Sequence, residues 1–325
     1  MSSAKYDVLG IGNAIVDVIA RADDGFLGKH KLVKGSMRLI DEGEAERLYG
    51  AMGAGVEISG GSCGNTMAGI ASFGGRGAYV GKVRRDQLGD VFAHDLRAIG
   101  VDFRTPAATD GPATARCLIL VTPDAQRTMN TYLGACTRLG PDDIDVGQVA
   151  EAGTVYVEGY LWDAPAAKQA VLKAMDAARA AGRKVSITLS DSFCVDRYRD
   201  EFRQLIRERV DIVFANEDEA KALYQVSSFE DALAAMRAEA KVAAITRSEK
   251  GSVALRGGET VAVPAQPVAR VVDTTGAGDL YASGFLFGLA RGKPLAECAR
   301  LGGIAAAEVI SHVGARPERP LSELV

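Results

Sequence analysis

From about Gly153 onward the chain alternates short apolar runs with longer stretches whose apolar positions recur every three or four residues. Residues 154–157, 184–188 and 211–214 predict strands, and residues 166–181 and 197–209 predict the helices between them. Alternation of this kind specifies βαβ units around a parallel sheet. Ile212, Val213 and Phe214 follow one another with no polar residue between them, which predicts a strand covered on both faces. Residues 6–11 have the same character and are expected in the same sheet.

Two stretches interrupt the alternation, at about 14–61 and 105–139. In the second, residues 115–121 and 128–133 predict antiparallel strands joined by the turn Thr122-Pro123-Asp124-Ala125. Both stretches flank polar candidate residues, so they are expected to form a small β-rich lid over the end of the main sheet, where open α/β folds bind ligands. The fold class expected is α/β, a three-layer α/β/α sandwich with a mainly parallel sheet, and residues 1–325 form one domain. No fixed-period repeat or low-complexity linker divides the chain.

Composition narrows the function. With 325 residues and 47% hydrophobic content, the chain can bury a large core. Its net charge of −4, with both signs interspersed, offers no basic surface for a nucleic-acid backbone, so nucleic acid is not an expected partner. An anionic substrate would have to be met locally, by a metal ion and a few placed donors. Cys63, Cys117, Cys136, Cys194 and Cys298 are widely spaced and odd in number, which reads as reduced thiols. His30, His94 and His312 lack the spacing of a zinc site. The first residues run directly into an apolar strand without a leader pattern, and no run of eighteen apolar residues occurs, so a cytoplasmic protein without a membrane span is expected.

Three segments carry candidate chemistry. In Asp273-Thr274-Thr275-Gly276-Ala277-Gly278-Asp279, a β-branched run passes through a Gly-rich turn into a helix of small residues. Gly276 and Gly278 carry no side chain that would keep an anion off the backbone N–H groups at a helix start, and Asp279 falls in the first turn beside that anion. The helix N-terminus favours its ionised form, which predicts a weak base at neutral pH. Asn216 and Glu219, three apart after a strand, have the spacing of a capping box. Near the N-terminus, Asn13 and Asp17 follow the first strand, where a carboxylate can grip two neighbouring hydroxyls or merely shape a turn. Gly60, Gly61 and Asn65 precede a predicted helix over 66–73. There is no Gly-x4-Gly-Lys phosphate loop, and Gly10-Ile11-Gly12 lacks the third glycine of a dinucleotide fingerprint.

The segment from Asp273 to Asp279 resembles the C-terminal signature of the ribokinase family of carbohydrate and nucleoside kinases, and Gly60-Gly61-Ser62-Cys63-Gly64-Asn65 is similar to its N-terminal signature. The resemblance implies the ribokinase-like fold, with Asp279 as catalytic base and Gly276, Ala277 and Gly278 as the anion hole. It implies that Gly60, Gly61, Asn65 and Asp17 grip a sugar ring. Asn216 and Glu219 resemble the family's Asn-x-x-Glu motif, which implies magnesium held by Glu219 through water. Thr246 and Gly251, in Ala243 to Leu255, match its ATP-pocket wall, and Thr274 and Thr275 are expected beside the nucleotide. Carbonyls near Asp273, Thr275 and Gly314 would hold a monovalent cation such as potassium. Leu280-Tyr281 departs from the family's small residue followed by Phe, a change in packing.

Similarity to the adenosine kinase branch runs through Val56 to Gly61, Gln126-Arg127-Thr128, Leu189-Ser190-Asp191-Ser192-Phe193 and Phe214 to Ala220. It implies ATP-dependent phosphorylation of the adenosine 5′-hydroxyl, with a ribose, fructose, inosine or guanosine kinase and a non-catalytic nucleoside or sugar sensor as alternatives. By that analogy Asn13 places the base, Arg127 reaches the transferred phosphate, and Leu161 and Phe193 form an apolar wall. Phe193 also reads as core, and Arg127 as a solvated hairpin charge. The implied partners are ATP and a small nucleoside or sugar, and the chain is a monomer or homodimer.

Overall fold

The computed structural model describes residues 4–124 and 126–325. Residues 1–3 and Ala125 of the predicted turn lie outside the described residues. A nine-stranded sheet runs in the order Glu259–Val263, Ser252–Arg256, Val242–Thr246, Ile212–Asn216, Lys184–Thr188, Ala152–Glu158, Tyr6–Ile11, Gly77–Val80 and Asp102–Phe103. The seven strands from Val242–Thr246 to Asp102–Phe103 are parallel, and the two at the other edge are antiparallel.

The period of two along each strand divides its side chains between two cores. Leu9, Ile11, Val155, Val157, Val213 and Ile245 pack on one face against the helices Pro165–Ala180, Ser192–Glu208, Glu217–Tyr224 and Phe229–Glu239. Val8, Tyr156, Ile212, Phe214 and Ala244 pack on the other against Ser62–Ser72, Gln87–Ala98, Ala277–Ala290 and Leu295–Val309. These are the three layers of an α/β/α sandwich, and the unbroken apolar run at Ile212 to Phe214 is explained by burial on both sides.

Two helices begin earlier than their periodicity predicts. Ser192–Glu208 starts where Asp191 accepts a hydrogen bond from the Cys194 N–H at 2.6 Å. Tyr198 (φ −124°, ψ 22°) breaks the helix one turn later, so the regular pattern is visible only beyond it. Ser62–Ser72 starts directly after Gly61, through a first turn of weak helix formers held by tertiary contacts.

A second sheet has the order Met37–Leu39, Arg127–Tyr132, Ala115–Val121, Ile15–Arg21 and Gly55–Ser59. Ala115–Val121 pairs antiparallel with Arg127–Tyr132 and parallel with Ile15–Arg21. Val16, Val18, Leu118 and Leu120 turn inward with Leu27 and Leu48, from the helices Asp24–Lys29 and Glu42–Ala51. Ile15 and Asp17 alternate to the opposite face, which borders a cavity. Only Gly12, Asn13 and Ala14 separate the strand Tyr6–Ile11 from Ile15–Arg21, so the end of the large sheet opens directly onto the small one.

Candidate active site

Asp279 sits in the first turn of the helix Ala277–Ala290, whose N-cap is Gly276. Gly276 has φ 78°, and a Cβ there would lie 2.7 Å from that of Ala315, so both backbone and space require glycine. Gly278 faces open space. The Asp279 carboxylate accepts from Ser62 Oγ at 2.6 Å and from Asn65 Nδ2 at 2.9 Å. Asn65 Oδ1 is buried and has no partner among the described residues. Burial raises the Asp279 carboxyl above its ordinary value, against the lowering effects of Ser62, Asn65 and Arg316. Burial of the carboxyl thus acts against the helix N-terminus, whose field alone predicts a weak base.

The cavity beside Asp279 has a volume of about 540 Å³. Asn13, Asp17, Gly61, Asn65, Leu161, Phe193, Thr275 and Asp279 all line it. Leu161 is buried, whereas Phe193 is 75% exposed, so Phe193 stands at the mouth and is not core. Gly60 lies under Asp17, and a Cβ on it would come within 2.7 Å of all three carboxylate atoms. Burial raises Asp17 to about 6, with Arg316 and Arg127 pulling it down and Asp279 and Asp273 pushing it up.

Arg127 is not a solvated charge. Its Nη1 pairs with Asp273 Oδ2 at 2.8 Å, the two side chains being 8% and 6% exposed, and approaches Thr275 Oγ1 at 3.4 Å. Its Nη2 is buried without a partner among the described residues. The Asp273 carboxylate also accepts from Thr275 N and Oγ1, at 3.1 and 2.8 Å, and from Gly314 N at 3.0 Å. Arg127 thus fastens the small sheet to the Gly-rich turn. Thr274 is exposed.

Asn216, Glu219, Thr246 and Gly251 lie apart from this cavity, at the same end of the large sheet. Asn216 and Thr246 are register partners. Asn216 and Glu219 form the reciprocal capping box, Glu219 N to Asn216 Oδ1 at 2.8 Å and Asn216 N to Glu219 Oε2 at 3.1 Å. Burial raises the Glu219 carboxyl to about 7, and the charges of Asp191, Asp279 and Asp218 add to the rise. Among the described residues, no three His, Cys, Asp or Glu side chains gather as a metal site.

Several residues at the site were not singled out from sequence, Ser62, Glu158 and Arg316 among them. Ser62 lies inside the quoted Gly60 to Asn65 segment. Glu158 is the polar end of an apolar strand, a signal that was available. Arg316 stands alone between Ala315 and Pro317, and its guanidinium donates to Ser59 O at 2.7 Å, to Ser59 Oγ at 3.1 Å and to Gly64 O. Burial lowers Arg316 to about 10.

The family described as "pfkB family carbohydrate kinase" matches residues 38–321. The chain belongs to that family. This kinase is 56% identical to the adenosine kinase of Sinorhizobium meliloti, whose crystal structure superimposes with a TM-score of 0.92 over 99% of this chain and 98% of that one. A probable sugar kinase of Rhizobium etli CFN 42 is 53% identical, with the same TM-score and the same coverage. Adenosine kinase 2 of Arabidopsis thaliana is 27% identical over 347 residues, spanning 98% of this chain and 99% of its own. The kinase is a phosphotransferase with an alcohol acceptor, its donor is ATP, and its fold is the ribokinase-like sandwich. No helix among the described residues is long and apolar enough to cross a membrane.

Proposed function

We propose that this kinase transfers the γ-phosphoryl group of ATP to the 5′-hydroxyl of adenosine, giving AMP. The observation that carries the reading is Asp279, raised in basicity by burial, at the N-terminus of a 14-residue helix and held by Ser62 and Asn65 on the floor of a nucleoside-sized cavity. Asp279 accepts the proton of the attacking hydroxyl, which a loose transition state releases late. The N–H groups of Gly276, Ala277 and Gly278 and the unpartnered Arg127 Nη2 receive the transferring phosphoryl oxygens. Asp17 grips the ribose diol, Asn65 Oδ1 accepts a further hydroxyl, Asn13 helps place the base, and Leu161 and Phe193 flank it. Adenosine as acceptor is supported by the Sinorhizobium meliloti relative at 56% identity.

Asn216, Thr246 and Gly251 serve the nucleotide. Glu219 suits magnesium: the charges of Asp191, Asp279 and Asp218 all oppose its ionised form, and a cation would relieve them. Magnesium bound with the triphosphate neutralises charge on the transferring group. The carbonyls around Asp273, Thr275 and Gly314 are proposed for potassium. The small sheet acts as a lid that excludes water, built from 14–61 and 105–139 of a single domain. The protein works in the cytoplasm, as a monomer or homodimer, with its five buried cysteines unpaired.

A second reading, a sugar kinase, is favoured by the Rhizobium etli relative at 53% identity. ADP release with Mg-ATP, with and without potassium, across adenosine, inosine, guanosine, ribose and fructose decides between them. Saturable turnover confined to adenosine is expected. A free sugar as best acceptor would withdraw the roles given to Asn13 and Phe193, and nucleotide binding without acceptor-dependent ADP release would point to a sensor.

A further inference from the structure

We infer that Glu158 is a positioning residue that fastens the two acceptor-binding segments to each other and so sets the affinity for the acceptor. It ends the strand Ala152–Glu158 and is 1% exposed. Its Oε1 accepts from the Asn13 backbone N–H at 2.9 Å and from Asn13 Nδ2 at 2.6 Å, and its Oε2 accepts from the Cys63 N–H at 2.9 Å. Asn13 belongs to the three-residue link that leads to Asp17. Cys63 lies in the first turn of the helix whose Ser62 and Asn65 hold Asp279. One carboxylate thus joins the diol-gripping segment to the segment that orients the base.

The close approach is built into the chain: a Cβ on Gly12 would lie 2.4 Å from Glu158 Oε2 and 2.4 Å from Cys63 Cβ. The titratable groups around Glu158 include Cys63, Tyr79, Cys136, Tyr156, Tyr160 and Asp279, and Arg316 acts on Cys63, Tyr79 and Asp279 from the far side of Gly64. Three N–H donors hold the Glu158 carboxylate directly. Both oxygens must accept, and the amide of glutamine cannot supply that, because its NH₂ would face a donor. Burial raises the Glu158 carboxyl to about 7. As pH falls through that value, the group gains a proton and one acceptor position becomes a donor.

The inference rests on Asp17 and Asn65 binding the acceptor, and its test uses whichever compound turns over best with the unaltered enzyme. Glu158→Gln is assayed with acceptor and ATP varied separately, from pH 5.5 to 8.5. The acceptor KM should rise by about tenfold, the effect of one lost charged hydrogen bond. The KM for ATP should stay unchanged, and at saturating Mg-ATP the acid limb of acceptor kcat/KM should move from near pH 7 toward the lower range of Asp17. Glu158→Asp, which keeps both acceptors on a shorter stem, should recover part of the loss. An unchanged acceptor KM, equal rises in both KM values, or an acid limb unmoved from pH 7 would overturn the inference.

Should Glu158→Gln fail to fold, the unaltered protein gives the answer without ATP or magnesium. Titration with the acceptor in two buffers of different ionisation heat should show proton release centred near pH 7, because binding favours the ionised carboxylate. No release, or release only near the lower range of Asp17, would overturn it. A protein that phosphorylates no acceptor at all would instead refute the proposed function.

Discussion

Arg127→Met removes one member of a buried ion pair while keeping much of the side-chain volume. Breaking such a pair destabilises by about 3–5 kcal/mol, because the surviving charge is left buried. Asp273 keeps three other donors, Thr275 N, Thr275 Oγ1 and Gly314 N, which places the loss at the lower end, about 3 kcal/mol. With an unfolding entropy of about 2.1 cal/mol/K per residue over 325 residues, that corresponds to a fall in Tm of about 4–5 °C. The kinetic effect has a separate origin in the unpartnered Nη2. If it meets the transferring phosphoryl group, losing that donor should lower kcat by about 10²–10³. Acceptor KM should rise modestly, since Arg127 lies outside the cavity wall but its charge helps keep Asp17 ionised. Calorimetry and a coupled ADP-release assay measure the two effects on one preparation. A folded variant with the expected drop in Tm and a kcat within tenfold of the parent would refute the phosphate role and leave Arg127 as a clasp alone.

Asp279→Asn should fold and bind both substrates yet lose kcat by about a thousandfold, the middle of the range for a missing general base; near-normal turnover in a steady-state assay would remove Asp279 from the mechanism. Gly60→Ala pushes a methyl group into the Asp17 carboxylate, so acceptor KM should rise about tenfold or more with ATP KM unchanged, as initial rates over both substrates would reveal. Glu158 and Glu219, both raised from 4.5 to about 7, bind more protons folded than unfolded between those values. The ligand-free protein should therefore gain stability as pH falls from about 7 toward 4.5, by at most about 3 kcal/mol for each group, while acceptor turnover declines. Thermal melts across that range that track activity downward would contradict this.

The strands Tyr6–Ile11 and Lys184–Thr188 match their predicted ranges, because each is a short run rich in large apolar and β-branched residues, with Asp7 and Ser186 as its buried polar exceptions. Met37–Leu39 and Gly55–Ser59 were not readable as strands. They are short and largely exposed, with Met37 and Leu39 bordering the open cavity and Val56 at the surface, so pairing with neighbours rather than pattern makes them strands. The same division holds at the cavity. Asp17, Asn65 and Asp279 were visible because each sits in or beside a glycine-rich turn. Glu158 and Arg316 belong to no such turn, and their bonds reach Asn13 and Ser59, which are 145 and 257 residues away in the chain. Contacts of that span leave little local trace: none at Arg316, and at Glu158 only a polar residue ending an apolar strand. Phe193 shows a further limit: residue type favoured core over wall, and only the position of its helix start puts it at the mouth.

The bonds from Asp279 to Ser62 and from Arg316 to Ser59 join the two ends of the sequence, and this sets an order for synthesis. The wall that would hold the acceptor leaves the ribosome early, whereas the Gly-rich turn, the base and Arg316 all lie between residues 273 and 316. On the roles proposed for Asp279 and the Gly-rich turn, a nascent chain short of that stretch lacks both base and anion nest. It would neither phosphorylate an acceptor nor spend ATP on water, and activity would be acquired in a single late step of translation.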